Sequence, residues 1–494
     1  MNQTQLEALR EVLKHLNEGQ KSWKAADPAP ASLIFGPADH AGALDPERAI
    51  VVGNRGVGKS FWSSVLAHSE TRAAVSRNYP RLNLDRLDVC LGFHEGAADG
   101  YDADAPSNSV LDELERLQHS SLDIWRGVLL EALRRTYQQV GLRKPQGLAE
   151  AVKWLVTDRA AFEHELRIAT AAIQKERRRF VLLFDALDRL GDNWEVIRRR
   201  TEGLLRLALQ MRSSSALRCK LFIRPDQYAD QRIFSFPDAS KLQHDAVSLI
   251  WRRKDLYGLL YHRLWADRAS HDSFRKLLKD AVKLELQNAE LPLPRDLGED
   301  EDTQATIFYS LAGEFMGAGP TKGRTYSWLH DHLGDASGET SPRSFMAAIA
   351  EATSVQDLKQ QTPLVYKGLL TGVQKASEVR LSQLKEDYWW VELALEALGG
   401  LLVPSEPTHF IDRWRERKTA EKVQQEASRS RRLPPVLLAD NPPDPEEKLL
   451  KGLIQINVME RRATGKINMP DIFRVAANIK RKGGVRPPTP PGRR

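Results

Sequence analysis

Residues 53–60 read Gly-Asn-Arg-Gly-Val-Gly-Lys-Ser and match the spacing G-x-x-x-x-G-K-S/T in full. That spacing carries phosphate chemistry. Gly53, Gly56 and Gly58 let the backbone turn tightly and bring its N–H groups against phosphate oxygens. Lys59 sets a positive charge where the β- and γ-phosphates of a nucleotide would lie, and the Ser60 hydroxyl is a ligand type for Mg²⁺. A helix starting near Lys59 adds the positive end of its dipole to the same anion site. The binding segment is thus Gly53, Asn54, Arg55, Gly56, Val57, Gly58, Lys59, Ser60 and Phe61.

A second run, Phe180-Val181-Leu182-Leu183-Phe184-Asp185, is an apolar strand ending in a carboxylate. Alone it reads equally as a strand that turns at an aspartate. Paired with the glycine loop, Asp185 becomes the partner of Ser60 for Mg²⁺. Asp188 follows on the same loop, either to polarise an attacking water or to cap the next helix.

These residues need a sheet edge to meet on. Apolar runs at 49–52, 87–93, 180–184, 218–223 and 247–251 alternate with helical patterns, notably 194–212. That alternation predicts an α/β fold with a parallel, helix-covered sheet, and the glycine loop makes the expected class a P-loop NTPase. Long helical patterns at 110–138 and 147–178 lie between the two motifs, with a loop at 98–107. An amphipathic helix over 3–16 and a Pro/Ala-rich link over 25–31 precede the first strand. From residue 252 onward the pattern is helical, interrupted by an acidic loop at 288–302 and a linker at 434–445.

Composition sets the class. A chain of 494 residues with 41% hydrophobic and 28% charged residues is long enough for about three globular domains with real cores. No stretch approaches the run of about 18 apolar residues that a membrane span requires, so no membrane partner is expected. The first residues lack a secretory apolar core, which predicts a cytoplasmic protein. The only cysteines, Cys90 and Cys219, fall in strand-like runs and read as small buried residues. Net charge is +7, with a basic excess from Arg474 onward that leads into a Pro-rich end. That tail reads either as nucleic-acid-binding or as a solvated terminus.

The segment Phe184-Asp185-Ala186-Leu187-Asp188-Arg189 resembles the Walker B region of STAND ATPases and the related KAP group. It departs from the AAA+ pattern, where a glutamate occupies the position of Ala186. Arg224, at the end of the next strand, resembles the sensor 1 arginine of STAND proteins. Arg343, in Ser341-Pro342-Arg343-Ser344-Phe345, resembles the sensor 2 arginine that origin-recognition and STAND-like ATPases carry on a helical lid. The resemblance covers about residues 45–350 by motif. It implies ATP and Mg²⁺ as cofactors, with Lys59, Asp185, Asp188, Arg224 and Arg343 as catalytic residues and Ser60 and Asp185 at the metal. Other phosphate-loop classes lack their marks: no Asn-Lys-x-Asp for guanine, no Leu-Ser-Gly-Gly, no DEAD-type box.

Residues 447–473 suggest a winged-helix-like unit, a helix followed by a two-stranded wing with Arg461, Arg462 and Lys466 near its tip. Five segments are expected: a helix and linker (1–45), a P-loop core with a helical insertion (46–266), a helical lid with sensor 2 (267–375), the winged-helix-like domain (376–474) and the basic tail (475–494). His330 and His332 have no matching ligand cluster. Asp444 and Pro445 read as a helix start, and Tyr388-Trp389-Trp390 as helix core.

The expected function is a Mg²⁺-dependent ATP-binding and hydrolysing switch. By resemblance it would assemble as a homo-oligomer on binding ATP, act on a separate effector or sensor protein, and serve bacterial defence. The alternative is an origin-recognition-like ATPase holding DNA through Arg461, Arg462, Lys466 and the basic tail.

Overall fold

The computed structural model describes residues 2–17, 24–96, 104–142, 147–284, 293–357, 362–430, 432–439, 442–482 and 485–487. Parts of the predicted 98–107 and 288–302 loops, and the end of the basic tail, lie outside the described residues. Among those described, no helix is long and apolar enough to cross a membrane.

Strands β1 (Ile50–Val52), β2 (Leu87–Phe93), β3 (Arg179–Phe184), β4 (Leu217–Ile223) and β5 (Val247–Ser248) form one sheet in the order β2-β3-β4-β1-β5. Every pairing in it is parallel. Near-continuous apolar runs build such a sheet because helices cover both of its faces. The order leaves β4 between β1 and β3. The glycine loop and Asp185 therefore leave the same carboxyl edge one strand apart, where open α/β sheets hold ligands.

The α/β expectation is met, and the differences are local. The 110–138 pattern is two helices, Asn108–Arg116 and Ser121–Thr136, because Gln118 adopts φ 65° and Ser120 caps the next turn by accepting from the Asp123 N–H at 3.2 Å. The 147–178 pattern breaks at Asp158, whose carboxylate accepts from the Ala161 N–H at 3.0 Å. Strand β5 stops at Ser248, after which the Trp251 indole N–H donates to the Val57 carbonyl at 2.7 Å. Cys219 is buried, whereas Cys90 is half-buried with its Sγ 3.1 Å from Thr136 Oγ1.

The Gln3–Lys14 helix buries Leu6, Leu9 and Leu13 and docks on the helical half of the molecule, where Arg10 donates to the Pro363 and Thr362 carbonyls. There the Pro342–Ala352 helix packs along the Tyr366–Asp387 helix with almost no space between them. A Cβ added at Gly372 would lie 2.2 Å from the Ala348 carbonyl oxygen, and one at Gly368 2.3 Å from that of Ala352.

The long Tyr366–Asp387 helix runs through the expected 375/376 boundary without a break. Beyond it, β6 (Leu402–Val403) pairs with the late strand β9 (Lys480–Arg481), and β7 (Glu460–Arg461) with β8 (Ile467–Asn468) as an antiparallel hairpin. Ser405 and Ile467 bridge the hairpin to the end of β6, exchanging bonds of 3.0 and 2.8 Å. The basic tail begins later than the sequence suggested. Arg474 is fully buried, bound to Asp471 at 2.8 Å and donating to the Val485 carbonyl at 2.7 Å. The 434–445 linker is also anchored, since the Trp194 indole donates to the Pro434 carbonyl at 2.7 Å.

Candidate functional site

The glycine loop forms as its residue types dictate. Gly53 N–H donates to the Ile223 carbonyl at 3.1 Å, tying the loop's start to β4. Gly58 sits at φ 99°, a region where an L side chain is strained, and directly precedes the Lys59–Ala67 helix. Lys59 Nζ donates to the Gly53 and Asn54 carbonyls at 2.7 and 3.1 Å, which holds the ammonium over the loop. Burial pushes that ammonium below its ordinary value, while Asp387, Asp185 and Asp188 pull the other way.

Asp185 follows β3, with its N–H donating to the Phe93 carbonyl at 3.0 Å. Burial raises its carboxyl, opposed by a hydrogen bond from Ser60 and by the charge of Lys59. The next residue, Ala186, adopts the left-handed conformation at φ 56°, ψ 40°. For a non-glycine residue this costs about 1 kcal/mol. The kink turns the chain so that Asp188 faces Arg224, Nη1 to Oδ2 3.2 Å. Burial alone would raise Asp188, but Arg224, Lys59 and Arg189 outweigh it and hold its carboxyl below the usual range.

Arg224 is anchored on three sides. Its Nε and Nη2 donate to Asp226 at 3.0 and 2.7 Å, and its guanidinium stacks 4.1 Å from the centre of the Tyr388 ring. The Tyr388 hydroxyl donates to Asp226 Oδ1 at 3.1 Å, which completes the clamp. Arg343 lies in the first turn of the Pro342–Ala352 helix, which Ser341 caps by accepting from the Ser344 N–H at 3.1 Å. Among the described residues nothing bonds its guanidinium. Burial and the nearby Arg55 lower it, and Glu386 and Asp387 oppose that.

Lys59, Ser60, Asp185, Asp188, Arg224 and Arg343 all open on one cavity of about 390 Å³. The sequence had named these six but not what faces them. The Arg55 side chain pairs with Glu386 and Asp387, the latter 332 residues away, at the end of the Tyr366–Asp387 helix. Arg380 of that helix donates to the Arg55 carbonyl at 2.6 Å, and Asn54 donates to Asp335 at 3.3 Å. Glu339 stands beside Asp335, and burial followed by that neighbour's charge raises its carboxyl to about 7. Glu95, which pairs with Arg189 at 2.6 Å, also lines the cavity. No spacing in the chain marks these partners. Tyr388 had been read as helix core, and its role as the platform under Arg224 is visible only in three dimensions.

The residues present fit a Mg²⁺ ion. A hydroxyl and a single buried carboxylate lining the same cavity are the sparse hard-oxygen set that Mg²⁺ completes with phosphate oxygens and water. Among the described residues there is no cluster of three or more His, Cys, Asp or Glu that would form an all-protein cage.

No protein-family model matches the chain, and no curated protein matches it. Among solved structures it is similar to the Aeropyrum pernix ORC2 protein, described in its ADPNP–ADP complexes, at 11% identity and a TM-score of 0.36. That likeness covers 90% of this chain and 93% of the other. It is too distant to assign a function, and the site itself carries the reading that follows.

Proposed function

We propose that this chain is a Mg²⁺-dependent, ATP-binding and ATP-hydrolysing switch. The observation that carries the reading is the convergence of Lys59, the Ser60–Asp185 pair, Arg224 and Arg343 on one cavity between the sheet edge and the helices. In this reading the loop N–H groups and Lys59 hold the β- and γ-phosphates, and Ser60 and Asp185 hold Mg²⁺, which would neutralise phosphate charge. Asp188 orients the attacking water. Its lowered basicity suits it to accepting a hydrogen bond from that water better than to taking a proton early. The water oxygen bonds to the γ-phosphorus as the bond to the bridging oxygen breaks, leaving ADP and phosphate.

Arg343 is the group best placed to report the γ-phosphate, since its guanidinium is uncommitted while Arg224 is clamped by Asp226. Moving a two-state equilibrium from 1:99 to 99:1 takes about 5.5 kcal/mol. Charge-assisted hydrogen bonds contribute about 1.5–3 kcal/mol each, so the two to four that Lys59 and Arg343 can make between them suffice in magnitude. The helices bearing Arg343 and Asp387 would then pass the nucleotide state to a homo-oligomer interface or to a partner protein.

The test is calorimetric ATP binding, ATP turnover and solution mass with and without ATP, for the wild type and Lys59→Ala. The proposal expects binding and slow turnover by the wild type only, with a mass change on ATP. An identical species in every state, with no turnover, would sink it.

A second reading has its own observation. The β7–β8 hairpin, joined to β6 through Ser405 and Ile467, has the arrangement of a wing, and Arg461, Arg462 and Lys466 are exposed on it. This supports a winged-helix unit that contacts DNA. Salt-sensitive DNA binding that weakens when these three residues are neutralised is the expected signature. Two of them already face carboxylates, Arg462 with Glu460 at 3.6 Å and Lys466 with Glu406 at 3.7 Å, so the switch remains the first reading.

A further inference from the structure

The far end of the cavity has a different chemistry from the phosphate end. Leu33 and Phe35 come from the segment before β1, Phe61 from the glycine-loop helix, and Trp251 and Leu259 from the chain after β5. The same helix that brings Leu259 to the cavity, Arg253–Ala266, also brings one charged side chain, Arg263, one turn further on. Residues four apart share a helix face, so both point the same way. Phe35 lies close against this helix, its ring 5.8 Å from that of His262, and a Cβ at Gly258 would come within 2.7 Å of it.

Among the described residues, no hydrogen bond, ion pair or ring contact engages the Arg263 guanidinium. Burial alone acts on it, lowering it to about 10, and no carboxylate offsets that burial. Arg263 is not among the charges that act most strongly on Lys59, which are Asp387, Asp185, Asp188 and Arg224. A half-buried guanidinium without a partner is costly, and an arginine retained in such a place implies that a ligand supplies the partner.

We propose that Arg263 is the base-reading residue of the site, donating to acceptor atoms of a purine that lies in the apolar end. The inference rests on the nucleotide reading given above and deepens it. A guanidinium has five donors and no acceptor, so it can read only acceptor edges. Adenine pairs its N7 acceptor with an N6 donor, whereas a 6-oxopurine presents N7 and O6 side by side, the edge that arginine grips bidentately. Inosine triphosphate is therefore the sharpest probe. It should bind at least as tightly as ATP and depend on Arg263 more.

The experiment measures ATP, inosine triphosphate and inorganic tripolyphosphate binding by calorimetry in the full chain, for the wild type, Arg263→Ala and Arg263→Met. Both variants should lose about ten- to a hundredfold in affinity for the two nucleotides and nothing for tripolyphosphate. Arg263→Met should also raise the melting temperature without ligand, because it removes an uncompensated charge from an apolar wall. Unchanged nucleotide affinity in both variants overturns the assignment. So does an equal loss for tripolyphosphate, or a fall in the ligand-free melting temperature of Arg263→Met, either of which would mark Arg263 as structural. If the wild type binds neither nucleotide nor tripolyphosphate, the nucleotide reading itself fails and this inference falls with it.

Discussion

The cavity has two banks built on different principles. On the sheet bank, Gly53–Ser60, Asp185, Asp188 and Arg224 all emerge from the carboxyl edge of neighbouring strands. On the helical bank, Arg343, Glu386, Asp387 and Tyr388 arrive from far along the chain and reach the first bank through long-range ion pairs and one ring contact. In the proposed function the sheet bank supplies the groups that would grip phosphate and metal. The helical bank supplies Arg343, unbonded among the described residues, and two carboxylates that already pair with Arg55. Grip and response are thereby placed on separate elements, and each can be altered without the other.

Substitutions that separate the banks follow in order of expected size. Asp185→Asn should leave ATP binding nearly intact and lower turnover by about a hundredfold or more, because the proposed Mg²⁺ site would lose its carboxylate. Single-turnover and binding measurements on the same sample check this. Arg343→Ala should erase about tenfold of the preference for ATP over ADP while leaving ADP affinity unchanged. Equal losses for both nucleotides would place Arg343 on the gripping bank.

Asp387→Asn should act in the opposite direction. It removes a negative charge that faces Lys59, Arg55 and Arg224, and so should tighten ATP by about three- to tenfold. Weaker ATP binding would show instead that Asp387 positions the loop.

The helical bank also carries a pH dependence. Glu339 has its carboxyl raised from the ordinary 4.5 to about 7 in the fold. A raised acid binds its proton more tightly when folded, so its contribution to stability is full below about 4.5 and is lost as the pH climbs through about 7. Thermal unfolding between pH 5 and pH 8 should show that decline in the wild type and a flatter profile in Glu339→Gln.

The difference between the banks also explains what the sequence could disclose. Gly53–Ser60 and the Phe180–Asp185 run are contiguous, and their chemistry is written in spacing that survives without any tertiary knowledge. All five strands, the last shorter than expected, and the Trp194–Met211 helix were legible for the same reason, since apolar runs and periodicity are local signals. Arg343 was legible only because a Ser-Pro helix start set it off. Asp387 and Tyr388 were not, because nothing near residue 387 says that a helix will end against a loop at residue 55. Arg263 sits within an apolar helical pattern, and only the cavity distinguishes it from a surface arginine. The basic tail misled for the converse reason: Arg474 reads as a free charge, but Asp471 and two backbone carbonyls take it into the core.

The contact of Gly368 and Gly372 with the carbonyls of Ala352 and Ala348 bears on how far a change at the phosphates can travel. With backbone against backbone there is no side-chain cushion to absorb displacement, so the two helices must rotate as a single rigid body. The same body is stitched at its other side to the chain's last two described segments, where Ser377 accepts from the Ala476 N–H at 3.0 Å and Gln374 donates to the Arg486 carbonyl at 3.0 Å. A tilt begun by Arg343 would thus be delivered undamped to β9 and its partner β6, some four hundred residues along the chain from the glycine loop.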